Sequence, residues 1–358
     1  MVRIKNLSPK ATEQKENLEA LHLDATTSVN SVANFRRGIK LVYWLLGALL
    51  GTAVFTTLLA DWQPPHKIYH VDAAPAGAVS CPGTVTLAVI GDYGAAGQPE
   101  ADVAALVNSW NVDYVLTTGD NNYPSGEAST IDDNIGQYYQ QYIGSYSGSY
   151  GPGAATNQFY PSPGNHDWNT GTLQPYLDYF TLPGNERYYD VTLGPVHLFA
   201  LDSDINEPDG RTATSTQANW LQTQMTGSSA PWKLVTLHHP PYSSSSVHGS
   251  NNQLQWPFAE WGATAVLAGH DHTYERIHQD GILYFVNGLG GRSIYNLGNP
   301  VPGSTVRYNL DYGAMRLEAS SLCLNFSFYS RTGSLIDSIT LFKPDFFTDQ
   351  LYLPFTTQ

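Results

Sequence analysis

The chain has 358 residues, 42% of them apolar and only 13% charged, with 23 Tyr and 13 Phe. That supply of core-forming side chains excludes a disordered chain and leaves length for one large domain or two ordinary ones. The formal net charge of −14, from 17 Lys+Arg against 31 Asp+Glu, argues against a nucleic-acid binder held by phosphate contacts, so an activity on phosphate would need positive charge from elsewhere, metal ions above all. Residues 1–40 are mostly polar, without a periodic pattern, and read as a cytoplasmic tail. Arg36, Arg37 and Lys40 stand just before an uncharged run over 41–60. Twenty residues span about 30 Å as a helix, the thickness of a bilayer core, so 41–60 is expected to be a transmembrane helix or signal anchor. The basic flank stays cytoplasmic and the chain after Asp61 is exported, to a periplasmic or extracellular location. Small-residue patterns near Ala74, Ala76 and Ala78 leave cleavage and secretion open.

A Pro- and Ala-rich spacer over 63–78 reads as part of a linker, 61–83, before a catalytic domain over 84–345 and a short tail over 346–358. Residues 84–90 are apolar and β-rich and end in Gly91-Asp92-Tyr93-Gly94. Val103, Leu106, Val107 and Trp110 fall at helical spacing behind Pro99, and 114–117 reads as a second strand ending in Gly119-Asp120. Strand, helix, strand implies a parallel βαβ unit, whose ligands gather at the carboxyl ends of the strands. A Gly-, Ser- and Tyr-rich excursion over 124–160, with one helix around 132–143, is expected to wall the cleft. Gly164-Asn165-His166-Asp167 follows. Further on come a strand over 196–201, a helix over 216–225, a strand over 233–237 ending in His238-His239-Pro240, and a helix with Leu254, Phe258 and Trp261 on one face. The strand over 264–268 ends in Gly269-His270-Asp271-His272. After it stand a strand over 282–286, a glycine loop over 288–291, and paired strands around 314–317 and 322–328. Cys81 and Cys323 are either bridged or reduced, Cys323 then being a small buried hydrophobe.

Metal-type side chains therefore stand at successive element ends: Asp92; Asp120 with Tyr123; Asn165; His238; and His270 with His272. Carboxylate, phenolate and amide oxygens suit hard cations, and imidazole suits iron, zinc and manganese. Seven such side chains are too many for one ion and right for two that share a bridge, an arrangement able to clamp a phosphoryl group.

The series Gly91-Asp92-Tyr93-Gly94, Gly119-Asp120-Asn121-Asn122-Tyr123, Gly164-Asn165-His166-Asp167, Val235-Thr236-Leu237-His238 and Gly269-His270-Asp271-His272 resembles the five motifs of calcineurin-like metallophosphoesterases. Tyr123 and the run His272-Thr273-Tyr274-Glu275-Arg276 narrow the resemblance to purple acid phosphatases. That resemblance implies an α/β fold, a four-layer sandwich of two mixed β-sheets flanked by helices. It implies Asp92, Tyr123 and His272 on a ferric ion, Asp120 as the bridge, and Asn165, His238 and His270 on divalent iron, zinc or manganese. His239 is given no metal role. His166 and His248 would contact the phosphate and protonate the departing alcohol, with Asp167 orienting His166 by a hydrogen bond or, alternatively, capping the helix that follows. The implied reaction is hydrolysis of a small phosphate ester, a phosphomonoester, by direct attack of metal-held hydroxide. A phosphodiesterase on the same centre is the nearest alternative, and a non-catalytic surface protein that binds partners through the Tyr-rich excursion is a second.

Overall fold

A computed structural model of the protein describes residues 69–72, 81 and 85–343, all within one compact unit, His66–Gln358. The uncharged run over 41–60 lies outside the described residues. Among the described residues no helix is long and apolar enough to cross a membrane.

Among the described residues fourteen strands form two mixed sheets of seven. In chain order they are β1 (Tyr69–Asp72), β2 (Val85–Ile90), β3 (Tyr114–Thr117), β4 (Phe159–Pro161), β5 (Tyr189–Leu193), β6 (Val196–Ala200), β7 (Trp232–Leu237), β8 (Ala265–Ala268), β9 (Tyr274–Gln279), β10 (Ile282–Asn287), β11 (Ser304–Tyr308), β12 (Gly313–Ala319), β13 (Cys323–Ser330) and β14 (Leu335–Phe342). One sheet runs β1-β14-β13-β12-β2-β3-β4 and the other β11-β9-β10-β8-β7-β6-β5. The first has a parallel segment, β2-β3-β4, and the second has β6-β7-β8-β10.

Side-chain alternation along each strand sets the layers. Leu198, Trp232, Leu234, Leu267 and Phe285 of the second sheet join Leu87, Val89, Phe326 and Phe328 of the first in one buried core. The intervening residues, among them Phe199, Val235, Leu237, Val266 and Tyr284, face outward into a second cluster with Ala218, Leu221 and Met225 of the helix Thr216–Gly227. The helix Gln98–Ser109 buries Val103, Ala104 and Val107 against the first sheet.

Three local expectations are revised. The spacer over 63–78 contains a strand: β1 pairs antiparallel with β14, Tyr69 opposite Phe342. Leu254, Phe258 and Trp261 are buried together, but on two separate turns, Asn252–Leu254 and Phe258–Trp261. Pro257 between them lacks the N–H that would continue a helix. The segment around 132–143 is helical but wide at its start, Asp132–Gly136, and tight at its end, Gln140–Tyr142. Cys81 and Cys323 are joined in a disulfide.

Candidate metal centre

The carboxyl ends of the parallel strands supply the site. β2 leads to Asp92, β3 to Asp120 and Tyr123, β4 to Asn165, β7 to His238, and β8 to His270 and His272. Asp92, Asp120 and His270 take left-handed backbone, with φ of 55°, 52° and 68°. That conformation costs a non-glycine residue about 1–3 kcal/mol, and such strain is characteristic of functional sites. Two of the motif glycines permit close approach. A Cβ on Gly119 would lie 2.6 Å from His238 Nδ1, and one on Gly269 would lie 2.6 Å from Asp92 Oδ2.

The seven side chains fall into two groups joined by one carboxylate. Tyr123 Oη lies 2.8 Å from Asp120 Oδ2 and 3.3 Å from both Asp92 Oδ1 and His272 Nε2. On the other side, His238 Nε2 lies 3.3 Å from Asp120 Oδ1, 3.0 Å from Asn165 Oδ1 and 3.1 Å from His270 Nδ1. His238 Nδ1 sits 2.8 Å from the Thr118 carbonyl, and His272 Nδ1 sits 2.6 Å from Ser293 Oγ. The Thr118 carbonyl can only accept, so His238 Nδ1 carries a proton and the neutral ring turns the lone pair of Nε2 inward, while Nε2 of His272 faces inward from a ring held through Nδ1 by Ser293. Lone pairs converge in both groups with too few protons to separate them, which is the chemistry of a cation site. Ligand atoms of Asp92, Asp120 and His238 all lie within 4.8 Å of one another, and the three residues are buried.

Electrostatics point the same way. Burial opposes ionisation of Asp120, but the His238 charge and hydrogen bonds from His238 and the His166 amide outweigh it and hold this carboxyl far below the usual range. Burial likewise opposes a charge on His238, yet Asp120 pulls its pKa up to about 10, so the centre favours positive charge there. Burial, Asp120 and Asp92 together push the Tyr123 phenol well above its ordinary value. Only a cation would draw off that proton.

His166 and His248 stand beside different members of the centre, His166 by Tyr123 and Asp120 and His248 by His270. His166 Nδ1 is 2.5 Å from the Pro124 carbonyl, leaving Nε2 inward, 3.9 Å from Asp120 Oδ2, with the ring 4.3 Å from that of Tyr123. The exposed His248 ring lies 4.0 Å from His270. Asp167 does not orient His166. Its Oδ2 accepts from the Gly164 amide at 2.8 Å and from Asn121 Nδ2 at 2.8 Å, so it caps the turn that presents Asn165 and ties it to the loop after β3. Burial, then the charge of Asp120, raise its pKa to about 7. His239 turns aside, with Nδ1 2.9 Å from Ser203 Oγ.

Other contributors carried no motif of their own. Tyr295 stacks on His272 at 4.0 Å, and the guanidinium of the exposed Arg292 lies 5.1 Å from the centre of the Tyr123 ring. Both follow the glycine loop over 288–291, which was the available signal. Asn134, from the Tyr-rich excursion, donates to the Tyr123 carbonyl at 2.7 Å and so props that residue from behind.

Residues 85–274 match the family model for calcineurin-like phosphoesterases. The chain is similar to purple acid phosphatase 4 of Arabidopsis thaliana, at 26% identity over 302 residues, 74% of this chain and 86% of that relative. It is similar to human tartrate-resistant acid phosphatase type 5 at 25% identity over 217 residues, 53% of this chain and 64% of that relative. Among solved structures, the fold is similar to that of a purple acid phosphatase from yellow lupin seeds, with a TM-score of 0.60 and 16% identity over 75% of this chain and 55% of that longer one. It is also similar to GAP50, the anchor in the inner membrane complex of Plasmodium, with a TM-score of 0.58 and 16% identity over 73% and 89%.

Proposed function

The chain belongs to the calcineurin-like phosphoesterase family and is a purple acid phosphatase-like hydrolase; on that premise we propose that it cleaves phosphomonoesters at a centre of two metal ions. The observation that carries this reading is Asp120, whose two oxygens face two separate groups of converging lone pairs. Asp92, Tyr123 and His272 would hold one ion, Asn165, His238 and His270 the other, and Asp120 both. The phenol favours a ferric ion in the first group; the amide and two imidazoles of the second suit divalent iron, zinc or manganese. When bound, such ions supply the positive charge that phosphoryl transfer demands.

The remaining work falls to side chains at the mouth. Arg292 offers the incoming anion a positive charge in a strongly acidic protein. His166, fixed through Nδ1 by the Pro124 carbonyl, donates from Nε2 when protonated, and His248 approaches from the side of His270. Either imidazole can hand a proton to the departing alkoxide oxygen. Export of the domain is part of the proposal. The Cys81–Cys323 disulfide supports it, since such bonds persist in oxidising compartments.

Asp120→Asn tests the reading. Metal content and hydrolysis of p-nitrophenyl phosphate should collapse together, and retention of both ions would refute the bridge. Parallel assay of bis-p-nitrophenyl phosphate by the unaltered protein separates monoester from diester preference.

A further inference from the structure

Beside the centre, on the side of His270 and His248, lies a cavity of about 240 Å³ whose far wall is the segment from Ser250 to Gln253. No Asp, Glu, Lys or Arg lines it. Apart from imidazoles, its polar equipment is one hydroxyl and three carboxamides, those of Asn251, Asn252 and Gln253. We infer that this cavity is the leaving-group subsite and that it takes a neutral, hydroxyl-rich alcohol, a sugar or polyol. The inference rests on the phosphatase reading and narrows its substrate class.

Three features carry it. The first is position: the cavity opens against His270, one of the two histidines of the group built on Asn165, and against His248, one of the two imidazoles proposed above to hand a proton to the departing alcohol. The second is the character of the wall. A carboxamide both donates and accepts, as a sugar hydroxyl does, so the two match in pairs. The Gln253 side chain makes no hydrogen bond to another described residue, and Asn252 uses only its oxygen, accepting from Gln255 at 3.3 Å. Donors and acceptors therefore remain for a ligand. A charged leaving group would find no counter-charge there, and an aryl group would meet amides in place of apolar surface. The third is rigidity and size. The Asn251 amide is tied to the Pro240 carbonyl at 2.9 Å, the Asn251 side chain caps the Gln253 amide at 3.1 Å, and Leu254 is buried in the core, so the wall is formed before substrate arrives. At about 30 Å³ per water the space equals roughly eight waters, the bulk of one sugar ring.

The test compares kcat/KM of the metal-loaded full-length protein for glucose 6-phosphate and for p-nitrophenyl phosphate, before and after Gln253→Ala and Asn252→Ala. Each substitution should lower kcat/KM on the sugar phosphate about tenfold, mostly through KM, and leave the aryl phosphate within twofold. Equal losses on both substrates, no loss on the sugar phosphate, or an unaltered enzyme that cleaves only the aryl ester would overturn the subsite while sparing the phosphatase reading. An unaltered, metal-loaded protein that cleaves neither ester overturns both.

Discussion

Asp271, the residue between the two candidate ligand histidines, turns away from the centre and binds the loop that carries His248. Its Oδ1 accepts from the His248 amide at 3.2 Å, and its Oδ2 accepts from Ser243 Oγ at 2.6 Å and from the Gly249 amide at 3.1 Å. The side chain is fully buried. One strand end thus presents His270 and His272 and also places the imidazole of His248 against His270.

Asp271→Asn should therefore separate positioning from metal binding. The amide replaces an acceptor oxygen with a donor facing backbone N–H groups, at a cost of about 1–3 kcal/mol for groups left unpaired. Steady-state kinetics should show kcat down about tenfold while metal analysis finds both ions retained. Metal lost in proportion to activity would instead make Asp271 a support of the centre itself.

Tyr123→Phe should remove colour along with function. In the iron-loaded, oxidised protein a phenolate on a ferric ion gives visible charge-transfer absorption, and Phe cannot supply it. A variant that keeps the absorption would exclude Tyr123 as its source.

Arg292→Ala should raise KM for a dianionic phosphate monoester several-fold, with kcat changed little, because the guanidinium meets the substrate before the reaction and takes no part in bond cleavage. Arg292→Lys should recover part of the loss, and added salt should shrink the difference between the unaltered protein and the alanine variant. A fall in kcat at constant KM would contradict an anion-gathering role.

Asp337→Ala should weaken the fold more than the chemistry. Asp337 on β14 accepts from Tyr274 Oη at 2.8 Å and from Arg276 Nε at 2.9 Å, so this buried carboxylate joins the first sheet to β9 of the second. Removing one member of a buried ion pair costs about 3–5 kcal/mol. Urea unfolding should register that loss, and metal content of the folded fraction should be unchanged.

Much of the architecture was legible in the order of residues. Apolar runs ending in Gly-Asp or Gly-His marked parallel strands, and the structure brings the seven candidate ligands together at their carboxyl ends. The run Tyr274-Glu275-Arg276 narrowed the resemblance to one branch of the family, and in the structure its side chains make structural contacts. Tyr274 and Arg276 hold Asp337, and Glu275 accepts from the Ser244 amide at 2.7 Å and from Ser304 Oγ at 2.5 Å.

Periodicity, a glycine before a polar residue and a proline between turns act within a few neighbouring residues, and for that reason the strands and the candidate ligands could be found along the chain. Pairings across the fold obey no such local rule. Asp271 meets His248 across 23 residues, Asp120 meets the His166 amide across 46, and β1 finds β14 only because the far end of the chain returns beside it. The histidines were visible as residue types and their division into two groups only through the resemblance, whereas the distances that set them on either side of Asp120 depend on how the two sheets present their strand ends to one another.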